Sequence, residues 1–270
     1  MPDLVICMIQ SDLAWEDKVA NMGRFREKVL GLKESSDIVL LPEMFTTGFT
    51  MNASAVAEEM DGPTVAWMKD LARESERVIA GSFVCREEGK HYNRFLWMRP
   101  DGSFDKYDKK HLFRMADEDS HYSAGNELVL IEHKGWKIRP MVCYDLRFPV
   151  WSRNRHRVEN GRALAEYDVL LYVANWPEVR VTAWDILLRA RAVENQVYCL
   201  GVNRVGMDGL NKNYCGHSAA IDPRGKYLLS PTVQGEAIYT LTLNRKDLED
   251  FREKFPQGLD ADDFSLSDDV

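Results

Sequence analysis

Cysteine and histidine are scarce in this chain, and neither is spaced as a metal site requires. There are five cysteines and six histidines among 270 residues, with no C-x-x-C pair and no cluster of histidines, so we expect no bound metal. Cys7, Cys85 and Cys199 fall in apolar, strand-like stretches and are expected to be small core residues rather than disulfide partners. Cys215 lies in a polar run at residues 211–217. The sequence leaves open whether it is a structural residue or lies near a functional site.

Long apolar runs and an excess of basic charge are also missing. No stretch reaches membrane-spanning length, and the first residues, Met-Pro-Asp-Leu, have neither a basic start nor a small-residue cleavage site. The 35 lysines and arginines are outnumbered by 43 acidic residues, which gives a formal charge of −8. Because the bases are dispersed among acids, this pattern argues against a nucleic-acid or membrane surface. We expect a cytoplasmic protein with a small-molecule substrate.

Repeats, linkers and low-complexity segments do not interrupt the chain. A chain of this length can bury a sizeable core as one domain. We expect one domain over residues 1–250 and an extension over residues 251–270. This extension combines three phenylalanines with several aspartates.

Hydrophobic periodicity predicts alternating strands and helices. Strands are predicted at residues 4–10, 38–41, 78–84, 92–98, 104–107, 128–132, 137–143, 169–173, 197–202, 217–221, 227–229 and 237–243. Helices are predicted at residues 15–33, 63–77 and 182–195, and a further helix is predicted to end near residue 167. This alternation is typical of a layered α/β protein.

One cysteine stands at the end of an apolar strand and is followed at once by charged residues, in the segment Met-Val-Cys-Tyr-Asp-Leu-Arg-Phe-Pro at residues 141–149. Cys143 is therefore a candidate nucleophile. A thiol needs a base to remove its proton or a group that stabilises the thiolate. Glu43 can be that base because it follows the apolar run at residues 38–41.

A cation is available in the run Lys-Tyr-Asp-Lys-Lys-His-Leu-Phe at residues 106–113. Either Lys109 or Lys110 could stabilise the oxyanion that forms when a thiolate attacks a carbonyl carbon. The candidate acid, cation and thiol all lie at or just past predicted strand ends. Ligand chemistry in open α/β sheets is usually found there.

Glu43, the Tyr-x-Lys-x-His-Leu-Phe run at residues 107–113 and Cys143, in this order, resemble the Glu-Lys-Cys triad of the nitrilase superfamily of carbon-nitrogen hydrolases. The resemblance covers the chain from about residue 4 to residue 250. In that family the catalytic lysine stands two residues before the His-Leu pair, which selects Lys109. The resemblance implies an α/β fold, namely a four-layer α-β-β-α sandwich, and a homodimer. The extension then either packs across the dimer or is a frayed acidic tail.

Two more residues gain a possible role from the resemblance. Glu118 matches a second glutamate that the family uses to orient the lysine and the substrate, and its alternative is a solvated loop acid. Trp176, in the segment Val-Ala-Asn-Trp-Pro at residues 173–177, could wall the pocket or belong to the core. The helical segment at residues 188–196 is interpreted as structural.

The resemblance also implies the reaction. Glu43 takes the proton of Cys143, the thiolate attacks an amide carbon, and Lys109 with the backbone N–H of Tyr144 holds the oxyanion. A thioester forms, ammonia leaves, and water releases the acid without a metal or organic cofactor. The omega-amidase branch, which converts 2-oxoglutaramate or 2-oxosuccinamate to the 2-oxo dicarboxylic acid, is the most similar branch.

Such a substrate has a carboxylate far from the amide, and arginine can bind a carboxylate through two hydrogen bonds. Arg147 is the first candidate, because related carbamoylases have a substrate-binding arginine at the matching position. The alternative is an ion pair of Arg147 with Asp145 or another acid. Arg114 is the second candidate.

Other functions remain open from the sequence. The same triad would serve an N-carbamoyl or aliphatic amide hydrolase, or a true nitrilase. From a different class, the chain could be an inactive scaffold or binding homologue, although the complete triad argues against this. A thiol redox protein would need a resolving cysteine, and no C-x-x-C is present.

Overall fold

The computed structural model of this chain describes residues 2–231 and 235–266. Within these residues the strands are β1 (Leu4–Gln10), β2 (Ile38–Leu40), β3 (Val78–Glu87), β4 (Lys90–Met98), β5 (Phe104–Asp108), β6 (Ile131–His133), β7 (Trp136–Val142), β8 (His156–Glu159), β9 (Arg162–Ala165), β10 (Val169–Ala174), β11 (Tyr198–Asn203), β12 (Val205–Met207), β13 (Asn213–Cys215), β14 (Ala219–Ile221), β15 (Tyr227–Leu229) and β16 (Ala237–Leu243). The helices are α1 (Lys18–Leu30), α2 (Ala53–Val56), α3 (Pro63–Ser75), α4 (Glu118–His121), α5 (Val181–Asn195) and α6 (Arg245–Lys254).

Most of the strands form two six-stranded sheets. The first has the order β16-β1-β2-β3-β4-β5 and the second has the order β15-β14-β11-β10-β7-β6. Each sheet has a parallel centre, in which β1 pairs with β2 and β2 with β3, and β7 pairs with β10 and β10 with β11. Antiparallel strands complete the edges, and two short ribbons, β8-β9 and β12-β13, lie outside the sheets.

The two sheets pack face to face between helices, which gives the predicted four-layer α-β-β-α sandwich. The largest apolar cluster contains side chains of both sheets together with side chains of α5. A second cluster joins the outer face of the first sheet to α1 and α3. Strands buried on both faces read as continuous apolar runs, as in the Ile-Val-Leu of β2.

Local chemistry explains where the helices begin and end. The side chain of Asp17 accepts a hydrogen bond from the backbone N–H of Ala20 at the start of α1. Pro63 occupies the first turn of α3, where its missing N–H costs nothing, and the left-handed Glu76 ends that helix. Helices α1 and α3 are both shorter than the predicted ranges of 15–33 and 63–77.

The prediction of a helix ending near residue 167 is wrong. That segment forms the antiparallel hairpin β8-β9, whose turn residues Asn160 and Gly161 have φ angles of 51° and 73°. Positive φ at both central positions is the geometry that Asn-Gly favours in a two-residue hairpin. Helix α6 was not predicted, and it runs across the boundary predicted at residue 250.

The extension over residues 251–270 is described only as far as residue 266. There Phe264 lies 5.1 Å from the guanidinium of Arg155, and Leu266 packs against the large core cluster. Asp268 and Asp269 lie outside the described residues. In the described part of the chain, no helix is long and apolar enough to cross a membrane.

Candidate active site

Cys143 follows β7 directly and begins a short 3₁₀ turn, Cys143–Arg147. Its φ angle is 44°, a left-handed conformation that costs free energy in a residue with a Cβ and is concentrated at functional sites. The residue is 9% exposed, and its thiol lies 3.9 Å from the carbonyl oxygen of Asn175. The turn therefore holds a largely buried thiol at the carboxyl end of a central strand.

Asp145 fixes this turn to the neighbouring segments. Its Oδ2 accepts hydrogen bonds from the Val142 N–H at 3.0 Å and from the Tyr107 hydroxyl at 2.8 Å. Its Oδ1 accepts from the His111 N–H at 3.0 Å. Because Tyr107 and His111 flank the lysine segment of the first sheet, one buried carboxylate links the candidate nucleophile to the candidate cation.

Lys109, Glu43 and Glu118 form a buried charged group, here called the inner cluster. The Lys109 Nζ lies 3.1 Å from Oε1 of Glu43 and 2.9 Å from both carboxylate oxygens of Glu118. All three residues are at most 1% exposed. A charge this deeply buried is tolerated only when it is paired, and one ammonium here serves two carboxylates.

Two asparagines complete the hydrogen bonds of Glu43. The Asn93 side chain donates to Oε1 at 2.7 Å, and the backbone N–H of Asn175 donates to Oε2 at 2.7 Å. Asn175 also donates from its side chain to the Glu43 carbonyl oxygen at 2.6 Å. Since Asn175 follows β10 in the second sheet, the carboxylate of Glu43 is held from both sheets at once.

The electrostatics keep the thiol protonated and the lysine charged. Burial raises the pKa of Cys143 well above its ordinary value, and the negative charge of Glu43 raises it further. Burial alone would lower the pKa of Lys109, but Glu118 and Glu43 together raise it. Burial also raises the pKa of Glu118. Cys143 therefore needs a base before it can attack, and Glu43 is the carboxylate that interacts with it most strongly.

A pocket opens above Cys143, with about 470 Å³ of space between its walls when the open mouth is included. Its lining residues are Phe49, Lys109, Phe113, Cys143, Tyr144, Arg147, Asn175, Trp176, Pro177, Arg180, Lys212 and Tyr214. This lining contains four cationic side chains and no carboxylate. The pocket is therefore suited to an anion.

Three of these cations, Arg147, Arg180 and Lys212, are here called the outer cations. Among the described residues, no carboxylate lies within 4.0 Å of their charged groups, in contrast to Lys109. The guanidinium of Arg147 lies 5.0 Å from the ring centre of Trp176, and that of Arg180 lies 5.3 Å from Phe113. An ion pair of Arg147 with Asp145 is not formed, because Tyr107, His111 and Val142 occupy that carboxylate.

The other predicted site residues lie in three places: the inner cluster, the pocket wall and the surface. Glu118 is inside the inner cluster rather than in solvent. Trp176 both lines the pocket and packs on Trp184, with ring centres 5.4 Å apart. Tyr144 also lines the pocket. Arg114 does not line it, since its side chain is 83% exposed and pairs with Asp119 at 2.7 Å, so the structure does not support substrate binding by Arg114.

Sequence reasoning missed Asn93, Arg180, Lys212 and Tyr214. Arg180 follows Trp176 by four residues, and the backbone links them, because the Trp176 indole N–H donates to the Arg180 carbonyl at 2.8 Å. Tyr214 and Lys212 belong to the polar run at residues 211–217, which also contains Cys215. Cys215 itself is buried and does not line the pocket.

Helix α5 supports the nucleophile turn from behind. The buried Arg191 donates to the carbonyl oxygen of Leu146 at 2.6 Å and pairs with Glu194 at 2.9 Å. Arg189 leaves the helix in a different direction and donates to the Gly225 carbonyl. In the part of the chain that the structure describes, no group of three or more histidine, cysteine or acidic residues is arranged to hold a metal ion.

The fold and the site define the class of protein. The sequence model of the carbon-nitrogen hydrolase family matches residues 6–253, and the chain belongs to this family. It is therefore a hydrolase of carbon-nitrogen bonds, of the amidase type.

Particular relatives are also similar over almost the full length. The chain is 46% identical to the omega-amidase YafV of Escherichia coli K12, over 98% of this chain and 100% of that protein. It is 31% identical to the 2-oxoglutaramate amidase of Bacillus subtilis, over 93% and 95% of the two chains. A crystal structure of a CN-hydrolase superfamily protein from Xanthomonas campestris, with an arsenic adduct in its active site, has 44% identity and a TM-score of 0.94. That comparison covers 99% of this chain and 100% of the other.

Proposed function

We propose that this protein is an omega-amidase that hydrolyses 2-oxoglutaramate or 2-oxosuccinamate to the 2-oxo dicarboxylic acid and ammonia. The observation that carries the proposal is the division of one pocket into two parts: a buried thiol beside the inner cluster, and an outer part with three cations that have no carboxylate partner among the described residues. A substrate with an amide at one end and a carboxylate at the other matches both parts. The similarity to proteins named omega-amidase and 2-oxoglutaramate amidase supports the same substrate class.

The first half of the reaction forms a thioester. Glu43 accepts the proton of Cys143, and the thiolate sulfur forms a bond to the amide carbon. The negative charge that develops on the amide oxygen is stabilised by Lys109 and by the backbone N–H of Tyr144. Protonated Glu43 then gives its proton to the departing nitrogen, the C–N bond breaks and ammonia leaves.

The second half returns the enzyme to its starting state. Glu43 accepts a proton from water, whose oxygen attacks the thioester carbon, and the same oxyanion contacts act again. The C–S bond breaks, the acid leaves and Cys143 regains a proton. Glu118 orients Lys109 throughout, because both of its oxygens contact the ammonium and its Oε2 also accepts from the Phe113 N–H at 2.6 Å.

Arg147 is the proposed partner of the far carboxylate. It lines the pocket within the turn that carries Cys143, and stacking on Trp176 leaves its N–H groups available for a bidentate contact. Trp176 forms the wall beside it. An N-carbamoyl amino acid would also present a carboxylate to this group, so the N-carbamoyl amide hydrolase is the alternative within the family.

We further infer a cytoplasmic homodimer, in which the main domain proposed for residues 1–250 continues through α6 into the extension of residues 251–270. The exposed apolar residues of α5, Ile186 at 62% and Val193 at 46% exposed, support an interface on that helix. Light scattering of the purified chain measures the mass directly, and a monomer at micromolar concentration would contradict the dimer.

The test of the proposed function is ammonia release from 2-oxoglutaramate, 2-oxosuccinamate, an N-carbamoyl amino acid, a simple aliphatic amide and a nitrile. We expect rapid release from the oxo-acid amides and its loss by a factor on the order of 10⁴ or more in Cys143→Ala. Circular dichroism should show that this variant is folded. Ammonia release from the N-carbamoyl amino acid alone would show that the substrate is an N-carbamoyl compound and not an oxo-acid amide. Retained activity in Cys143→Ala would overturn the mechanism.

A further inference from the structure

Two of the outer cations, Arg180 and Lys212, come from segments that are distant from the nucleophile turn. Arg180 lies between β10 and α5, and Lys212 lies in the loop between β12 and β13, yet both line the pocket that contains Arg147. Of the three outer cations, only Arg147 has a role in the proposed mechanism. The acid nearest to Arg180 in sequence, Glu178, accepts a hydrogen bond from Asn213 at 2.6 Å. Two unpaired cations are therefore left without an assigned role.

The backbone around Lys212 is held in place while its side chain is exposed. Asp208 accepts from the Lys212 N–H at 2.9 Å, and the Asp208 N–H donates to the Lys212 carbonyl at 3.0 Å. The other carboxylate oxygen of Asp208 accepts from the hydroxyl of Tyr214 at 2.9 Å. The lysine side chain therefore lines the pocket from a loop whose backbone is held by hydrogen bonds.

Arg180 is positioned in a similar way. Its carbonyl oxygen is fixed by the indole of Trp176, and its guanidinium lies over the ring of Phe113. Stacking on an aromatic face leaves the N–H donors of arginine at the edge free to contact a ligand. The outer part of the pocket thus offers hydrogen-bond donors and positive charge, with no acceptor of opposite charge in its lining.

We propose that Arg180 and Lys212 determine specificity by selecting amides whose C2 carries an oxo group rather than an ammonium group. This inference rests on the proposed omega-amidase function. The far end of 2-oxoglutaramate has only acceptors, namely the 2-oxo oxygen and the carboxylate. The far end of glutamine has the same carboxylate but carries an ammonium group, which donates hydrogen bonds and repels the cations.

The size of the effect follows from the type of contact. Loss of a hydrogen bond between a charged donor and a substrate acceptor corresponds to about a ten- to hundredfold loss in kcat/KM. Glutaramate, which has the carboxylate but no C2 substituent, separates the carboxylate contact from the contact with the 2-oxo group.

The experiment measures kcat/KM for 2-oxoglutaramate, glutaramate and glutamine in the wild type and in Arg180→Ala, Lys212→Ala and Lys212→Glu. Lys226→Ala is a matched control, because Lys226 occupies a turn of the same kind: its N–H donates to Asp222 at 2.8 Å and its carbonyl accepts from the Asp222 N–H at 2.8 Å. Arg155→Ala is the control for an arginine stacked on phenylalanine. Melting temperatures show which variants remain folded.

We expect the preference for 2-oxoglutaramate over glutamine to fall about tenfold or more in each alanine variant, and glutamine turnover to rise in Lys212→Glu. Both controls should leave the preference unchanged. An unchanged preference in all three variants, or an equal loss for all three amides, would overturn the inference while leaving the proposed function standing. A wild type that releases no ammonia from 2-oxoglutaramate would overturn both.

Discussion

The two ends of the pocket treat charge in opposite ways. In the inner cluster every charged group has a partner within the protein, because Lys109 contacts the carboxylates of both Glu43 and Glu118. At the outer end, Arg147, Arg180 and Lys212 have no carboxylate partner among the described residues. The groups proposed to react are therefore paired with one another, and the groups proposed to bind the ligand have no carboxylate partner among the described residues.

This difference explains why the two ends should respond differently to mutation. Removal of one member of the inner cluster leaves another charge buried and unpaired, which is costly to stability as well as to chemistry. Removal of an outer cation leaves no orphaned partner. The inner cluster should therefore link activity to stability, and the outer cations should change substrate binding alone.

The largest effect is expected for Lys109→Ala. Two buried carboxylates lose their cation, so we expect a loss of about 3–5 kcal/mol in the free energy of unfolding and a fall in kcat on the order of 10⁴-fold. The folded pKa of Lys109 lies above its ordinary 10.5, so its stabilisation is complete below about pH 10.5 and is lost as the pH rises through the folded pKa.

Urea unfolding at neutral pH measures the stability loss, and ammonia release measures the activity. Lys110→Ala is the matched control, because Lys110 is the adjacent lysine and lies over the ring of Trp151 at 5.2 Å. Unchanged unfolding of Lys109→Ala would show that the inner cluster does not stabilise the fold.

A smaller effect is expected for Glu118→Gln, which keeps the shape of the side chain and removes its charge. Lys109 then loses the carboxylate that orients it, so its ammonium is no longer held in place for the oxyanion, and kcat should fall by about 10²–10³-fold. The KM should change little. Steady-state kinetics beside Asp119→Asn, an adjacent acid that pairs outside the pocket, separates this role from a general effect of charge.

At the outer end, Arg147→Ala should raise the KM for 2-oxoglutaramate by about 10–100-fold, because a bidentate contact to the carboxylate is lost. The kcat and the unfolding midpoint should stay near the wild-type values. Arg114→Ala is the comparison and should change KM less than twofold. If Arg114→Ala had the greater effect, the assignment of the carboxylate contact would be wrong.

The smallest effect concerns the pair of Arg94 and Glu87, neither of which lines the pocket. The hydrogen bond from Arg94 lowers the pKa of Glu87 from 4.5 to about 2, so its contribution to stability is present above pH 4.5 and is lost as the pH falls towards 2. Because Glu87 is 40% exposed, Glu87→Gln should cost below about 1 kcal/mol at pH 7. Urea unfolding at pH 7 and pH 3 should show this difference shrinking in acid.

The proposed triad was partly readable from the sequence because its candidates follow predicted strands, whereas the choice of Lys109 over Lys110 and the role of Glu118 came from the family resemblance. Glu43, Lys109 and Cys143 each come within three residues of a strand end, where ligand chemistry in open α/β sheets is usually found. The four-layer sandwich could not be obtained from periodicity. It came from the family resemblance, since periodicity records which residues are buried and not how two sheets face each other.

The outer cations were largely hidden from sequence reasoning. Arg114 and Arg180 both lie in polar loops, and only the folded loops show that one is exposed and the other faces the pocket. The hairpin β8-β9 was missed for a different reason. Its Asn160-Gly161 turn is a strong hairpin signal, but the charged and alanine-containing residues on either side also suit a helix.

The proposed catalytic side chains come from both sheets, since Glu43 and Lys109 follow strands of the first sheet and Cys143 follows a strand of the second. The reactive centre therefore comes into existence only when the two sheets have docked. The recovery of activity during refolding therefore reports the docking of the two sheets rather than the formation of either sheet alone.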